Sequence, residues 1–97
     1  MPTYVSLLRF TDQGIKNVKD SVDRAERTRQ AAERVGGRIH TVLWTHGAYD
    51  AVLIQEFPDE ETATAALLAL GAQGNVRSET LRAFTADDMR RILQKVP

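Results

Sequence analysis

Two residues capable of acid–base chemistry lie at the ends of a short turn. His46 and Asp50 flank the segment Gly47-Ala48-Tyr49, and β-rich runs extend on both sides over residues 38–46 and 50–57. A three-residue connection with one glycine is typical of a tight β-hairpin. In that hairpin His46 and Asp50 become cross-strand neighbours and could act as catalytic acid and base. The competing interpretation is that Asp50 closes the turn by accepting hydrogen bonds from backbone N–H groups.

Three aromatic residues are candidates for the wall of a ligand-binding site beside this pair. Tyr49 belongs to the turn, Trp44 lies on the strand before it, and Tyr4 lies near the N-terminus. If they share a sheet face with His46 and Asp50, an aromatic wall and a titratable pair surround one cavity, which is the usual make-up of a small-molecule site. A large aromatic residue in a strand is also common in a core or an interface. Trp44 is therefore a candidate both for the ligand site and for the core or the dimer interface.

The inventory of side chains argues against a metal ion or a redox cofactor. The chain has no cysteine, which removes thiolate ligands, disulfides and thiol nucleophiles together. Its two histidines, His40 and His46, are six strand residues apart, or roughly 20 Å, and this is too far to share one ion. We therefore predict no bound metal and no cofactor.

Composition narrows the classes of partner. The 97 residues include 13 Lys plus Arg and 13 Asp plus Glu, so the formal charge is zero. This balance disfavours attraction to a nucleic-acid backbone or to an anionic membrane surface. The longest apolar run, residues 65–70, is far shorter than the roughly 20 residues of a bilayer span. We expect a cytoplasmic protein that binds neither nucleic acid nor membrane.

Hydrophobic periodicity and turn residues predict the elements that must position these side chains. The predicted strands cover residues 3–10, 38–46, 50–57 and 76–84, and the predicted helices cover residues 12–35, 59–71 and 85 onward. The first helix has a separate turn over residues 12–18 and restarts at Asp20 or Ser21. The order β-α-β-β-α-β plus a C-terminal helix is the ferredoxin-like α+β fold, formed as one domain over residues 1–97.

Both faces of the predicted sheet carry apolar side chains. The hairpin strands place Ile39, Leu43, Leu53 and Phe57 on one parity and Val42, Trp44, Val52 and Ile54 on the other. With both main helices on one face, the other face needs a cover, and a second copy of the sheet is the simplest one. We expect a homodimer closed into a barrel, with Trp44 or Val42 and Val52 or Ile54 in its interface. The C-terminal helix, folded back over this face, is the alternative cover.

Several separated motifs resemble those of the GYD family of small bacterial domains. They are Tyr4-Val5, residues 10–17 (Phe-Thr-Asp-Gln-Gly-Ile-Lys-Asn), residues 44–50 (Trp-Thr-His-Gly-Ala-Tyr-Asp), Gly74-Asn75-Val76-Arg77 and Ala83-Phe84-Thr85. The resemblance covers nearly the whole chain and implies a dimeric α+β barrel. The Gly-x-Tyr-Asp hairpin is also similar to the effector-binding domain of feast/famine regulators, which favours binding over catalysis.

These observations support three functional hypotheses. The first is a homo-oligomeric small-molecule-binding or regulatory module, a dimeric barrel whose lumen takes a small organic molecule, with Tyr4, Trp44 and Tyr49 against the ligand. The second is a cofactor-independent enzyme of the dimeric α+β barrel type, a monooxygenase, isomerase or decarboxylase, that uses His46 and Asp50. The third is an oligomerisation unit without chemistry of its own.

Overall fold

The computed structural model describes residues 1–97 as a four-stranded antiparallel sheet with helices. Its elements are β1 (Thr3–Phe10), α1 (Asp12–Lys16), a 3₁₀ turn (Val18–Asp20), α2 (Ser21–Arg34), β2 (Arg38–Trp44), β3 (Ala51–Glu56), α3 (Glu60–Ala72), β4 (Val76–Ala83) and α4 (Ala86–Leu93). The strand order is β2-β3-β1-β4, and all neighbours are antiparallel. The predicted ferredoxin-like fold is confirmed.

Local capping explains where the helices begin and end. Asp59 accepts a hydrogen bond from the backbone N–H of Thr62 at the start of α3. Thr85 and Asp88 form a reciprocal capping box at the start of α4. Gly36, at φ +80°, provides the left-handed residue that ends the helix before β2. These boundaries agree with the sequence-based expectations.

One face of the sheet, the helix face, packs under α2 and α3. Two clusters of buried residues fill this layer. The first contains Tyr4, Ala32, Ile39, Phe57 and Ala63, and the second contains Leu8, Ala51, Leu53 and Val76. Because side chains alternate along a strand, every second position of each strand points to the opposite face.

The opposite face, called here the open face, has an apolar centre that no element of the chain covers. Its central side chains form two cross-strand rows, Leu43–Val52–Leu7 and Ile54–Val5–Leu81. Charged residues lie at both ends of the rows, with Arg9, Arg77 and Glu79 at one end and Arg38 and Glu56 at the other. An apolar centre within a charged rim is the composition of a protein interface.

The C-terminal helix does not cover the open face. Met89, Leu93 and Val96 of α4 and its following residues are exposed, and so are Leu43 and Leu81 on the sheet. The molecule extends 51 Å along its longest axis and 18 Å along its shortest. The alternative in which α4 folds back over the sheet is therefore wrong for the isolated chain. None of the helices is both long and apolar enough to span a bilayer.

Candidate functional site

The β2–β3 hairpin has a different register from the one expected. Trp44 pairs with Ala51, and Thr45 N–H donates to the Asp50 carbonyl at 2.9 Å. Thr45 therefore lies opposite Asp50, and residues 46–49 form the connection, with Gly47 in the left-handed region at φ +94°. The expected cross-strand pairing of His46 with Asp50 is not formed. His46 is exposed at the hairpin tip and makes no side-chain hydrogen bond.

The Asp50 side chain connects the hairpin to β1. Its Oδ2 accepts a hydrogen bond from the Phe10 backbone N–H at 2.8 Å, and its own N–H donates to the Leu8 carbonyl at 2.8 Å. These two bonds continue the β1–β3 ladder past the last pair of regular strand residues. The contact favours the interpretation in which Asp50 satisfies backbone donors over the one in which it acts as a base.

Tyr49 reaches from the hairpin tip across the open face to β4. The Arg9 guanidinium lies 4.4 Å from the centre of the Tyr49 ring, and Arg9 Nε donates to the Ala48 carbonyl at 3.1 Å. The Tyr49 hydroxyl donates to the Glu79 carboxylate. The pKa of Tyr49 is raised above its ordinary value. The hydrogen bond to Glu79 is the main cause, and the partial burial of the hydroxyl is the second.

Gly47, Tyr49 and Asp50 together make what we call the hairpin clamp. Gly47 permits the turn, Tyr49 joins Arg9 to Glu79, and Asp50 holds the end of β1. The clamp therefore joins β3, β1 and β4 at one end of the sheet. Each residue of the Gly-x-Tyr-Asp motif has a contact or conformation that explains its type.

The remaining residues expected at the hairpin lie elsewhere. Tyr4 is buried on the helix face and pairs with Gln55, roughly 13 Å along β1 from the Leu8 carbonyl that binds Asp50. Trp44 is also on the helix face, half-exposed at its edge beside Ser21 and Arg24 of α2. Tyr49 lies on the open face, so the three aromatic side chains do not line one cavity.

A second set of motif residues joins α1 to the turn before β4. Thr11 caps α1 through Gly14 N–H, and its hydroxyl donates to the Gly74 carbonyl at 2.5 Å. The Gln13 side chain donates to Gln73 O and Asn75 Oδ1. A Cβ on Gly14 would lie only 1.9 Å from the Asn75 carbonyl oxygen, so this contact requires glycine.

Sequence reasoning missed a cleft between α2 and α3 that reaches the sheet. Its volume is about 470 Å³, and its walls are mainly alanine, leucine and valine side chains from the two helices. Its floor is formed by Ile39 of β2, Gln55 of β3 and Phe57, which directly follows β3. The only sequence signal was Gln55, a polar residue that alternates with the apolar residues Leu53 and Phe57 along the predicted strand.

Potential metal ligands are dispersed. No cluster of three or more His, Cys, Asp or Glu side chains is close enough together to hold an ion. His40 contacts the Glu56 carboxylate at the end of the open face, far from His46. The prediction that the protein uses no metal or cofactor stays a prediction.

The strand order and the hairpin clamp define a ferredoxin-like α+β domain of the Gly-x-Tyr-Asp type. The chain belongs to the GYD domain family, whose family model matches residues 4–93. The resemblance inferred from the sequence motifs is thereby confirmed.

A relative from Thermus thermophilus carries a functional description. It is described as a glutamine synthetase and cystathionine beta-lyase binding protein, and it is 32% identical over 90 residues. The aligned segment covers 92% of this chain and 95% of the relative. No solved structure shows a significant match to the chain.

Proposed function

We propose that this protein is a homo-oligomeric regulatory module that binds metabolic enzymes. The observation that carries the proposal is the open face, whose apolar centre contains six side chains that no part of the chain covers. They are Val5, Leu7, Leu43, Val52, Ile54 and Leu81. Exposed apolar surface of this kind on a small domain is typical of a protein-binding site.

The first occupant of the open face is a second copy of the chain. Two copies related by a twofold axis bury the same patch on each other, and the charged residues at both ends of the rows remain at the rim. Of the interface residues expected from sequence, Val52 and Ile54 lie on this face, whereas Val42 and Trp44 lie on the helix face. The proposed interface therefore contains Val52 and Ile54 and excludes Trp44.

The kind of external partner is suggested by the relative from Thermus thermophilus, which is described as binding two enzymes. We extend that type of partner, glutamine synthetase and cystathionine beta-lyase, to this chain. The direct test mixes the purified protein with each enzyme from the same organism and measures complex formation by sedimentation. The proposal expects a complex with at least one enzyme at micromolar concentration, with an unrelated enzyme as the control. Free sedimentation of both enzymes would contradict it.

The enzymatic alternative, with His46 and Asp50 as acid and base, has less support. Asp50 Oδ2 is engaged by the Phe10 N–H, and His46 lies in solvent without a hydrogen-bond partner. A general acid–base pair requires both groups within hydrogen-bond reach of the same substrate. We also predict that the homodimer holds a small organic ligand between its two open faces.

A further inference from the structure

The cleft between α2 and α3 combines an apolar wall with a single buried polar group at its floor. No charged residue lines it, and its polar lining consists of Thr28, Gln55, Thr62 and Gln73. The Thr28 hydroxyl already donates to the Arg24 carbonyl at 2.9 Å. Gln55 differs from the other three because it is only 2% exposed.

Gln55 belongs to a polar chain inside the helix face. Its Nε2 donates to Ser6 Oγ at 2.7 Å, and the Ser6 and Thr80 hydroxyls hydrogen-bond at 2.8 Å. This chain fixes the carboxamide and leaves Oε1 with no partner. Among the unpartnered side-chain atoms, only the Tyr4 hydroxyl is fully enclosed, so Gln55 Oε1 keeps some accessible surface, and the cleft is the cavity that Gln55 lines.

A ligand that covers Gln55 Oε1 displaces water from it, and burying this acceptor without a donor is energetically costly. The cleft volume of about 470 Å³ lies within the usual range of small-molecule sites. The absence of charged lining residues disfavours an ionic ligand, because an unpaired ion in such a site would lose its hydration without compensation. The acceptor selects for a ligand that carries an O–H or N–H donor.

We propose that this cleft binds a neutral, largely apolar small molecule that donates a hydrogen bond to Gln55 Oε1. The site lies on the helix face and is separate from the open face and from the hairpin clamp. Binding in this cleft depends neither on the homodimer nor on the partner enzymes.

A thermodynamic cycle with two matched probes tests the role of Gln55. Benzyl alcohol carries a hydroxyl where ethylbenzene carries a methyl group, and both are titrated by NMR against the wild type and Gln55→Leu. We expect both probes to shift the NMR signals of the residues that line the cleft in the wild type. Gln55→Leu should raise the Kd of benzyl alcohol by about 3- to 10-fold without raising that of ethylbenzene. An unchanged Kd for benzyl alcohol would overturn the assignment of Gln55.

A second pair of variants tests the cleft if Gln55→Leu does not fold. Ala69 lines the cleft from α3 and is exposed, and Ala72 is exposed on the same helix but does not line it. Ala69→Phe should abolish binding of both probes, whereas Ala72→Phe should leave it unchanged. Equal binding to the two variants would overturn the proposal. Concentration-dependent shifts of the cleft residues without any probe would also overturn it, because a second copy would then fill the cleft.

Discussion

The residues of the Gly-x-Tyr-Asp motif act mainly on one another and on neighbouring strands. Asp50 binds the Phe10 N–H, and Tyr49 lies between Arg9 and Glu79. These contacts cross three strands that are far apart in sequence. The motif is therefore a tertiary clamp, and its residues can be tested by stability as well as by activity.

Replacing Asp50 tests the structural role assigned to its carboxylate. Asp50→Ala leaves the partly buried Phe10 N–H without an acceptor and should lower the free energy of unfolding by about 1 to 2 kcal/mol. Asp50→Asn keeps an acceptor oxygen and should cost less than about 1 kcal/mol. Urea unfolding of the two variants measures both values. Equal losses in Ala and Asn variants would show that the negative charge, and not the hydrogen bond, is what the site requires.

The raised pKa of Tyr49 predicts a pH dependence with a definite sign. The neutral hydroxyl donates to Glu79, so folding favours the protonated phenol, and the resulting stability is present below the ordinary tyrosine pKa. It is lost as the pH rises through the raised value. Tyrosinate absorbance should therefore appear at lower pH in Glu79→Gln than in the wild type, with Tyr49→Phe identifying the transition. Identical titrations of the wild type and Glu79→Gln would contradict the contact.

At the scale of elements, the junction between α1 and the turn before β4 depends on close backbone approach. Gly14 packs directly on the Asn75 carbonyl, whereas Gly71 in α3 has open space where a Cβ would lie. Both glycines belong to helices, and neither has a positive φ angle. The two positions therefore form a matched pair that differs mainly in packing.

Alanine substitutions at these glycines should act in opposite directions. Gly14→Ala forces the backbone of α1 or of the turn to move and should cost about 2 kcal/mol or more. Gly71→Ala improves helix propensity without a clash and should stabilise the protein by about 0.5 kcal/mol. Thermal unfolding of the two variants gives the comparison. A neutral Gly14→Ala would contradict the packing described for this junction.

Local patterns predicted the elements well because their signals are local. The split of the first helix, the Asp59 cap and the Thr85 capping box follow from residues within one or two turns. The hairpin register was predicted incorrectly, because adding one residue to the loop changes every cross-strand pair. The loop has four residues and not three, so Thr45, and not His46, pairs with Asp50.

The assignment of β2 side chains to the two faces depends on an irregularity that a simple alternation does not contain. The register shifts between Ile39 and Thr41, and as a result Ile39, Val42 and Trp44 share the helix face. Gln55 was missed because its importance comes from what surrounds it in space, namely Ser6 and the cleft. Tertiary neighbours, and not residue type, define both features.

At the scale of the whole molecule, the chain has two unlike surfaces. The helix face is covered by α2 and α3 except at their cleft, and the open face is covered by nothing. Leu81 on the open face is 49% exposed, and Leu68 on the outer side of α3 is 70% exposed. Because both leucines are exposed in the single chain, lysine at either position should cost little in folding. Only Leu81 lies in the proposed interface.

Sedimentation velocity of the wild type, Leu81→Lys and Leu68→Lys tests whether a second copy of the chain covers the open face. We expect the wild type and Leu68→Lys to sediment as homo-oligomers of at least two chains at micromolar concentration. Leu81→Lys places two unpaired ammonium groups in the interface and should raise the dissociation constant by about 100-fold or more, giving folded monomer. A monomeric wild type, or an oligomer that Leu81→Lys leaves intact, would show that a second copy does not cover the open face.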